Sequence, residues 1–569
     1  MKRLKTILQS IDHKGYPAYK SLKGSYQFGV YQLNIDHVQG DPFASPSRIS
    51  LKISGKNAGF PEEYYRQKHR RITLEDHLIR LFHREISGVS FKARGSGKSG
   101  LISISHPGQE VLERSACHVD SGNGDILLRI AVGFPANGRS INAGELEKIL
   151  YCFLPEAVKA ACLYENIHKD KLQKAIELAD DRKFIQERMK EENLVAFVAN
   201  DSILPRESGV SDRPMKGAIP FISPKSMEIT WNLPHKGAIT GMGIAAGVTL
   251  IVGGGYHGKS TLLQTLEKAV YPHINGDGRE YVVTDFSAVK IRAEDGRSIC
   301  EKNISMFIRN LPNGTNTEKF STTDASGSTS QAANVVEAVE CGSKVLLMDE
   351  DTSATNFMIR DELMERVVAA GDEPIIPFIK RVRGMYIGQG ISTILVAGSC
   401  GAFFHVADTI IQMESYLPKE ITEAAKEEAK AFPLSFHPDE ELDFPETEQE
   451  IYFSKQRQSA DGRERGTKIK VMGCDGFSIN RQTVDLRYLE QITDSEQMMA
   501  IGKLLDAILK TYAGKKIALS EILDTVMGEL DSKGFAGMPG GQGLSDMAMP
   551  RRFEVGGCVN RYRRKDGNY

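Results

Sequence analysis

The sequence is short of the features that would place it outside the cell or across a membrane. Its eight cysteines never fall into a CxxC pair, which argues against a zinc ribbon or a dense disulfide framework and for a reducing, cytoplasmic setting. Nowhere is there an apolar run of about eighteen residues, so a membrane-spanning helix is not expected. The opening "MKRLKTILQSIDHKG" lacks a continuous apolar segment, so secretion is not expected either. A formal charge of -2 gives no overall basic field, so a nucleic-acid site would have to be a local patch. No repeat of fixed period is present. What remains is ordinary globular composition, 41% hydrophobic and 26% charged, in 569 residues, more than one hydrophobic core usually serves.

Residues 1–200 mix strand-like alternation, as in "ILLRIAVGF" (126–134), with a charged helical run over 143–192 that Pro155 is expected to break in two. Past the Pro, Ser and Gly punctuation of 204–214, short apolar strands alternate with helices: "GVTLIVGGG", "EYVVTDF", "SKVLLMDE" and "ISTILVAGS". This alternation predicts an α/β core with a covered parallel sheet over 201–420. Residues 421–466 are charge-dense and read as a helix plus an exposed linker; 467–569 read as a small, mostly helical domain with a basic end.

The strongest motif is "GGGYHGKST" (253–261), which follows the strand "VTLIV" and opens a helix. Glycines at 253 and 258 let the backbone wrap phosphates, and the helix N-terminus offers N–H donors and a favourable dipole. The ATP-binding set is therefore Gly253, Gly254, Gly255, Tyr256, His257, Gly258, Lys259, Ser260 and Thr261, with Lys259 on the β- and γ-phosphates and Ser260 on Mg²⁺. A second "GSGKSG" (95–100) is a decoy, because Lys92 stands where the first glycine belongs. Downstream, "KVLLMDED" ends an apolar strand in Asp349, a metal-holding carboxylate, and Glu350, which can polarise the attacking water.

Two further stretches narrow the class. "ASGSTSQ" resembles the LSGGQ signature of ABC-class ATPases, with Ser326 standing 23 positions before Asp349, and "TSATN" stands where that class has its D-loop. With "VSDRP", "VKIRAEDGRSI" and "NIDHVQGDPFASPSR", these motifs resemble the predicted ATPases of the ABC class, soluble proteins with N- and C-terminal domains of their own. The resemblance implies a P-loop NTPase core of ABC type, ATP and Mg²⁺ as cofactors, and a homodimer. Two such chains meet head to tail, so Ser326, Gly327 and Ser328 would address the ATP on the partner's Lys259. A link to RNA is suspected in some eukaryotic relatives.

The sequence departs from the ABC pattern at several places. Asn356 replaces the D-loop aspartate, and the switch histidine is missing: Gly398 or Ser399 falls at its position, with Ser399 the candidate substitute donor and slow hydrolysis the expected consequence. His405 is either a phosphate sensor or a packed side chain. The usual Q-loop is absent, leaving Glu294 and Asp295 as candidates for a metal or water contact. Trp231, the only tryptophan, lies 22 positions before Gly253 and either stacks on adenine or packs in the core. Arg206 and Arg213 read equally as nucleotide contacts or as ordinary surface ion pairs. Basic clusters at 66–71, 92–98 and 560–565 read either as solvated faces or, gathered by a dimer, as a nucleic-acid surface. The leading expectation is an RNA-associated ATPase; the alternative is an ATP-gated clamp on a protein partner.

Overall fold

The computed structural model describes residues 2–360, 367, 373–434, 436, 450–453, 467–538 and 543–562. It divides into two compact units, Met1–Lys183 with Phe535–Met549, and Phe184–Gly534 with Pro550–Tyr569.

The first unit is built on an antiparallel sheet in the order Gly24–Phe28, Tyr31–His37, Ser47–Ile53, Ile126–Val132, Ile102–Ser103, with Cys117–Val119 also on Ile126–Val132. The alternation expected of "ILLRIAVGF" is present: every second residue from Ile126 to Val132 is buried. The inward residues share one core with Leu74, Leu78 and Phe82 of helix Lys68–Ser87 and with Leu154 and Val158 of helix Leu154–Cys162. Pro155 does not break the helical run. Ala143–Lys148 passes through a π-turn, Ile149–Phe153, into Leu154–Cys162, with Phe153 and Leu154 both helical, so Pro155 lies inside the run, just past the π-turn where the hydrogen-bond register changes. The break comes later, before helix Lys169–Glu191. The segment Phe535–Met549 packs here too, with Ser115 N–H donating to Met547 O at 2.8 Å and Met549 N–H to Glu113 O at 2.9 Å.

The second unit contains the expected parallel sheet. Its strand order is Ala288–Ile291, Val345–Asp349, Ser392–Val396, Val248–Val252, Thr409–Glu414, Leu417–Glu420, parallel except for the last hairpin. Strands Val345–Asp349 and Ser392–Val396 are buried along their whole length, as strands covered on both faces must be. "EYVVTDF" is not among them. Val282–Thr284 pairs antiparallel with Leu194–Ala199 in a separate four-stranded sheet that also holds Gly237–Ala245 and Glu228–Leu233. Leu194–Ala199 is central to that sheet and belongs to the compact unit that begins at Phe184.

The C-terminal part has helices Ser495–Thr511, Leu519–Lys533 and Arg552–Arg561 beside a small sheet of Ile469–Val471, Gly476–Ile479 and Gln482–Asp485. It caps the open edge of the parallel sheet: Gln491 Nε2 donates to Ala288 O at 3.0 Å, Gln491 Oε1 accepts from Lys290 N–H at 3.1 Å, and Arg551 donates to Ala288 O at 2.9 Å. Of the expected 421–466 linker, Thr422–Ala429 is helical and Glu450–Tyr452 is a strand paired with Lys516–Ala518. Residues 437–449 and 454–466 lie outside the described residues. Among the described residues no helix is long and apolar enough to cross a membrane.

Candidate nucleotide site

The parallel strands deliver their chemistry at one end, outside their carboxyl termini, where open α/β sheets bind ligands. Strand Val248–Val252 runs into the glycine loop, Val345–Asp349 into Glu350, and Ser392–Val396 into Gly398 and Ser399.

In the loop, Gly253 has φ +141, and a Cβ there would stand 2.4 Å from Met413 O, so only glycine fits. Gly258, at φ +96, caps helix Lys259–Lys268 in the left-handed conformation. Lys259 Nζ donates to Gly253 O at 2.7 Å and Gly254 O at 2.8 Å, which places the ammonium inside the loop. Ser260 and Thr261 occupy the first helical turn, at the N–H-rich end. His257 is not free: its Nδ1 accepts from Ser415 N–H at 2.8 Å, and its carbonyl accepts from Tyr416 N–H at 3.1 Å. That tie locks the loop to the hairpin turn Ser415–Tyr416, whose two residues have the positive φ angles of a tight type I′ connection.

Asp349 is buried at the strand end, with Oδ1 accepting from Asp351 N–H at 3.1 Å. Glu350 is gripped by the position of the missing histidine. Its Oε2 accepts from Gly398 N–H at 2.6 Å and Ser399 N–H at 3.1 Å, and its Oε1 accepts from the Ser399 hydroxyl. Burial pushes this carboxyl up, but the Ser399 hydroxyl, the two amides and the Lys259 charge outweigh it and hold it below the ordinary carboxylate range. Ser399 is therefore brought to the site, as a ligand of Glu350.

The signature residues divide. Ser326 is exposed and caps helix Gly327–Glu340, accepting from Thr329 N–H, with the Thr329 hydroxyl 3.0 Å away. Ser328 is buried, and its hydroxyl donates to Asn356 Oδ1 at 2.6 Å. It joins the signature to the D-loop. The Asn356 that replaces the aspartate is its partner, and Gln331 extends the tie by accepting from Ala354 N–H at 2.8 Å.

Other expectations are resolved by packing. Trp231 is only 6% exposed and lies against Phe197 with centroids 4.7 Å apart, its Nε1 donating to Glu192 at 3.0 Å. It is a core residue of the antiparallel sheet, not an open stacking face. The aromatic rings that do stand at the loop are Tyr256, fully exposed, and Tyr416, half exposed with its ring 3.0 Å from where a Gly258 Cβ would be. Tyr416 lies 160 positions beyond Tyr256, so no local signal links it to the loop. His405 bonds the Phe432 carbonyl at 2.9 Å, the packed alternative. Arg206 is held by Asp277 at 2.8 Å, whereas Arg213 is exposed. Glu294 is buried in an ion network rather than open to metal or water.

The basic clusters separate as well. At 66–71, Arg66 pairs with Glu62, and His69 and Arg70 share Asp180. At 560–565, Arg561 is buried, and residues 563–565 lie outside the described residues. At 92–98, Lys92, Arg94 and Lys98 are exposed, as are Arg66 and Lys68 in the first cluster. The loop 92–98 is tied to Pro42 and Ala136, beside the 63%-exposed ring of Phe43.

Comparison with known proteins gives the family. Residues 168–449 match the ABC ATPase family in its P-loop domain, and residues 1–165 match the family described as the N-terminal part of ATPases of the ABC class. This chain belongs to the ABC-class ATPases. Residues 468–566 match the MRB1590 C-terminal domain. An uncharacterised protein of Methanocaldococcus jannaschii, MJ1628, is 31% identical over 188 residues, 32% of this chain and 42% of that protein. Among solved structures, cbiO1 from Clostridium perfringens, part of the ABC transporter complex cbiONQ, is 13% identical over 40% of this ABC-class chain and 87% of its own, at a TM-score of 0.25. The ADP conformation of MJ1267, an ATP-binding cassette of an ABC transporter, is 11% identical over 41% and 93%, also at 0.25.

Proposed function

We propose that this ABC-class chain hydrolyses ATP slowly as a cytoplasmic homodimer with two composite sites, and that the cycle acts on nucleic acid, RNA first. The observation that carries the reading is a division of labour within one chain. Lys259, Ser260, Asp349 and Glu350 gather at the sheet's carboxyl end, while Ser326 and Gly327 head a separate helix with the capping serine exposed. Each half is present once, so a complete site takes two chains.

In this reading the loop amides and Lys259 bind the phosphates, and Tyr416 stacks on the base in place of Trp231. Ser260 and Asp349 supply hard oxygen donors suited to Mg²⁺, which keeps most of its shell from phosphate and water and would neutralise charge on the leaving phosphates. Glu350 orients the attacking water. Held below the ordinary range by three donors, it is a weak base, and this supports slow turnover. Ser326, Gly327 and the adjoining Thr329 would meet the partner's γ-phosphate, favouring the closed dimer until hydrolysis releases it.

The nucleic-acid reading rests on the loop 92–98, where exposed cations flank the exposed Phe43 ring, the combination that tracks a single strand. The test is a titration with homopolymeric RNA and DNA. Binding that weakens steeply with salt and changes ATP turnover is expected, as is a smaller salt slope in Arg94→Glu/Lys98→Glu. If neither polymer binds at low salt nor alters turnover, the reading fails and a protein clamp takes its place.

A further inference from the structure

The C-terminal helix Arg552–Arg561 reaches the ATPase machinery through one buried side chain. Arg561 Nε donates to Glu294 Oε2 at 3.1 Å, its terminal nitrogen donates to Glu294 Oε1 and to Asn334 Oδ1, the latter at 3.0 Å, and Glu337 lies 4.0 Å away. Arg297 completes the group from the other side, bonding Asn334 and Glu337. Two guanidinium and two carboxylate groups thus share one buried cluster, each side chain no more than 7% exposed. A close approach of helices makes this possible: a Cβ on Gly556 would stand 2.3 Å from Cys341 Sγ, at the end of the signature helix.

Glu294 belongs to a loop that is stitched to the signature. Gly296 N–H donates to Ala325 O at 2.8 Å, Ala325 N–H returns a bond to Arg297 O at 2.9 Å, and Glu294 N–H donates to the Ser330 hydroxyl at 2.9 Å. The same loop touches the D-loop, with Ala293 N–H on Thr352 O at 3.0 Å. Gly327 is wedged between the two: its Cβ would stand 3.2 Å from Asp295 Oδ1 and 3.3 Å from Ala354 Cβ. Whatever fixes Glu294 therefore fixes where Ser326 and Gly327 point.

We infer that Arg561 is a positioning residue for hydrolysis: by clamping Glu294 it sets the signature turn that completes the partner chain's ATP site, which makes the C-terminal domain part of the ATPase. Burial opposes charge on both groups, but each is favoured in its charged form by the other, so the clamp stays charged. The inference rests on the composite-site reading proposed above. It further implies that a load on the C-terminal domain can change turnover without touching nucleotide.

The test is Arg561→Gln. ATP should bind the monomer as in wild type, because Lys259 and its loop are untouched, while turnover falls about tenfold to a hundredfold, the scale of an ångström-sized misplacement. Arg561→Lys, which keeps the charge and gives up the fork, should fold if Gln does not and should recover part of the loss. The deciding measurement mixes chains. Arg561→Gln damages the signature half and Lys259→Ala the Walker A half, so a mixed dimer contains one intact site. Turnover of the mixture should exceed the sum of the two separate variants. Failure of that rescue, or wild-type turnover in Arg561→Gln, overturns the inference. The control is Ser326→Arg mixed with Lys259→Ala. If it rescues while Arg561→Gln does not, only the role of Arg561 is lost; if Ser326→Arg alone is fully active, the composite site itself is wrong.

Discussion

Glu350 shows how much chemistry one replaced residue can move. With no histidine after strand Ser392–Val396, the Ser399 hydroxyl and two backbone amides turn onto the Glu350 carboxylate, the proposed general base, and hold it ionised. A carboxyl lowered in the folded state contributes stability above its ordinary range, and that contribution is lost as pH falls through the lowered value. Ser399→Ala removes the largest of these opposing interactions. The acid limb of its pH–rate profile should move to higher pH, and an unmoved limb would show that the hydroxyl does not tune Glu350. Tyr416 makes a second residue-scale prediction: Tyr416→Ala should raise the KM for ATP about tenfold, one stacking contact being worth ~1–3 kcal/mol, while Trp231→Phe leaves it near wild type. The reverse pattern in steady-state kinetics would return the base to Trp231. Sequence could place Trp231 at a suggestive spacing but could not see that Phe197 and Glu192 occupy it.

At the scale of elements, the strand, loop and helix around Gly253–Thr261 were legible because local signals all agree there: an apolar strand, glycines where φ must be positive, and a helix directly after. The glycines are not equivalent, however. Gly253→Ala should abolish ATP binding, since its Cβ meets the Met413 carbonyl, whereas Gly255→Ala, with nothing within 4 Å, should bind ATP in a calorimetric titration nearly as wild type does. Equal behaviour of the two would contradict the loop geometry. Three of the four apolar strands read from sequence lie in the parallel sheet, whose other parallel members, Ala288–Ile291 and Thr409–Glu414, were not among them. "EYVVTDF" has the apolar character of a core strand, but pairing direction is a tertiary choice, and Leu194–Ala199 captured it. Pro155 does not break the run because proline forbids only the bond it lacks, and the π-turn Ile149–Phe153 directly before it shifts the hydrogen-bond register there. The signature turn was found by its hydroxyls, yet which hydroxyl faces outward depends on Asn356, 28 positions beyond Ser328.

For the whole molecule, the sequence announced an ATPase core between two further domains and left their relation to it open. The C-terminal segment is built into the core unit through Arg551, Gln491 and Arg561, contacts no periodicity could forecast. Of the basic residues, Arg66 pairs with Glu62, Arg70 with Asp180 and Arg561 with Glu294, while Lys92, Arg94 and Lys98 of the loop 92–98 are exposed. Two chains sharing two ATP sites are central to the proposed function. The most direct measurement is the solution mass of Glu350→Gln with and without ATP and Mg²⁺, repeated with RNA. Glu350→Gln should be a monomer without nucleotide and a dimer retaining ATP once it is added. A Glu350→Gln protein that binds ATP and stays a monomer, or one that turns ATP over at the wild-type rate, would contradict the proposed function.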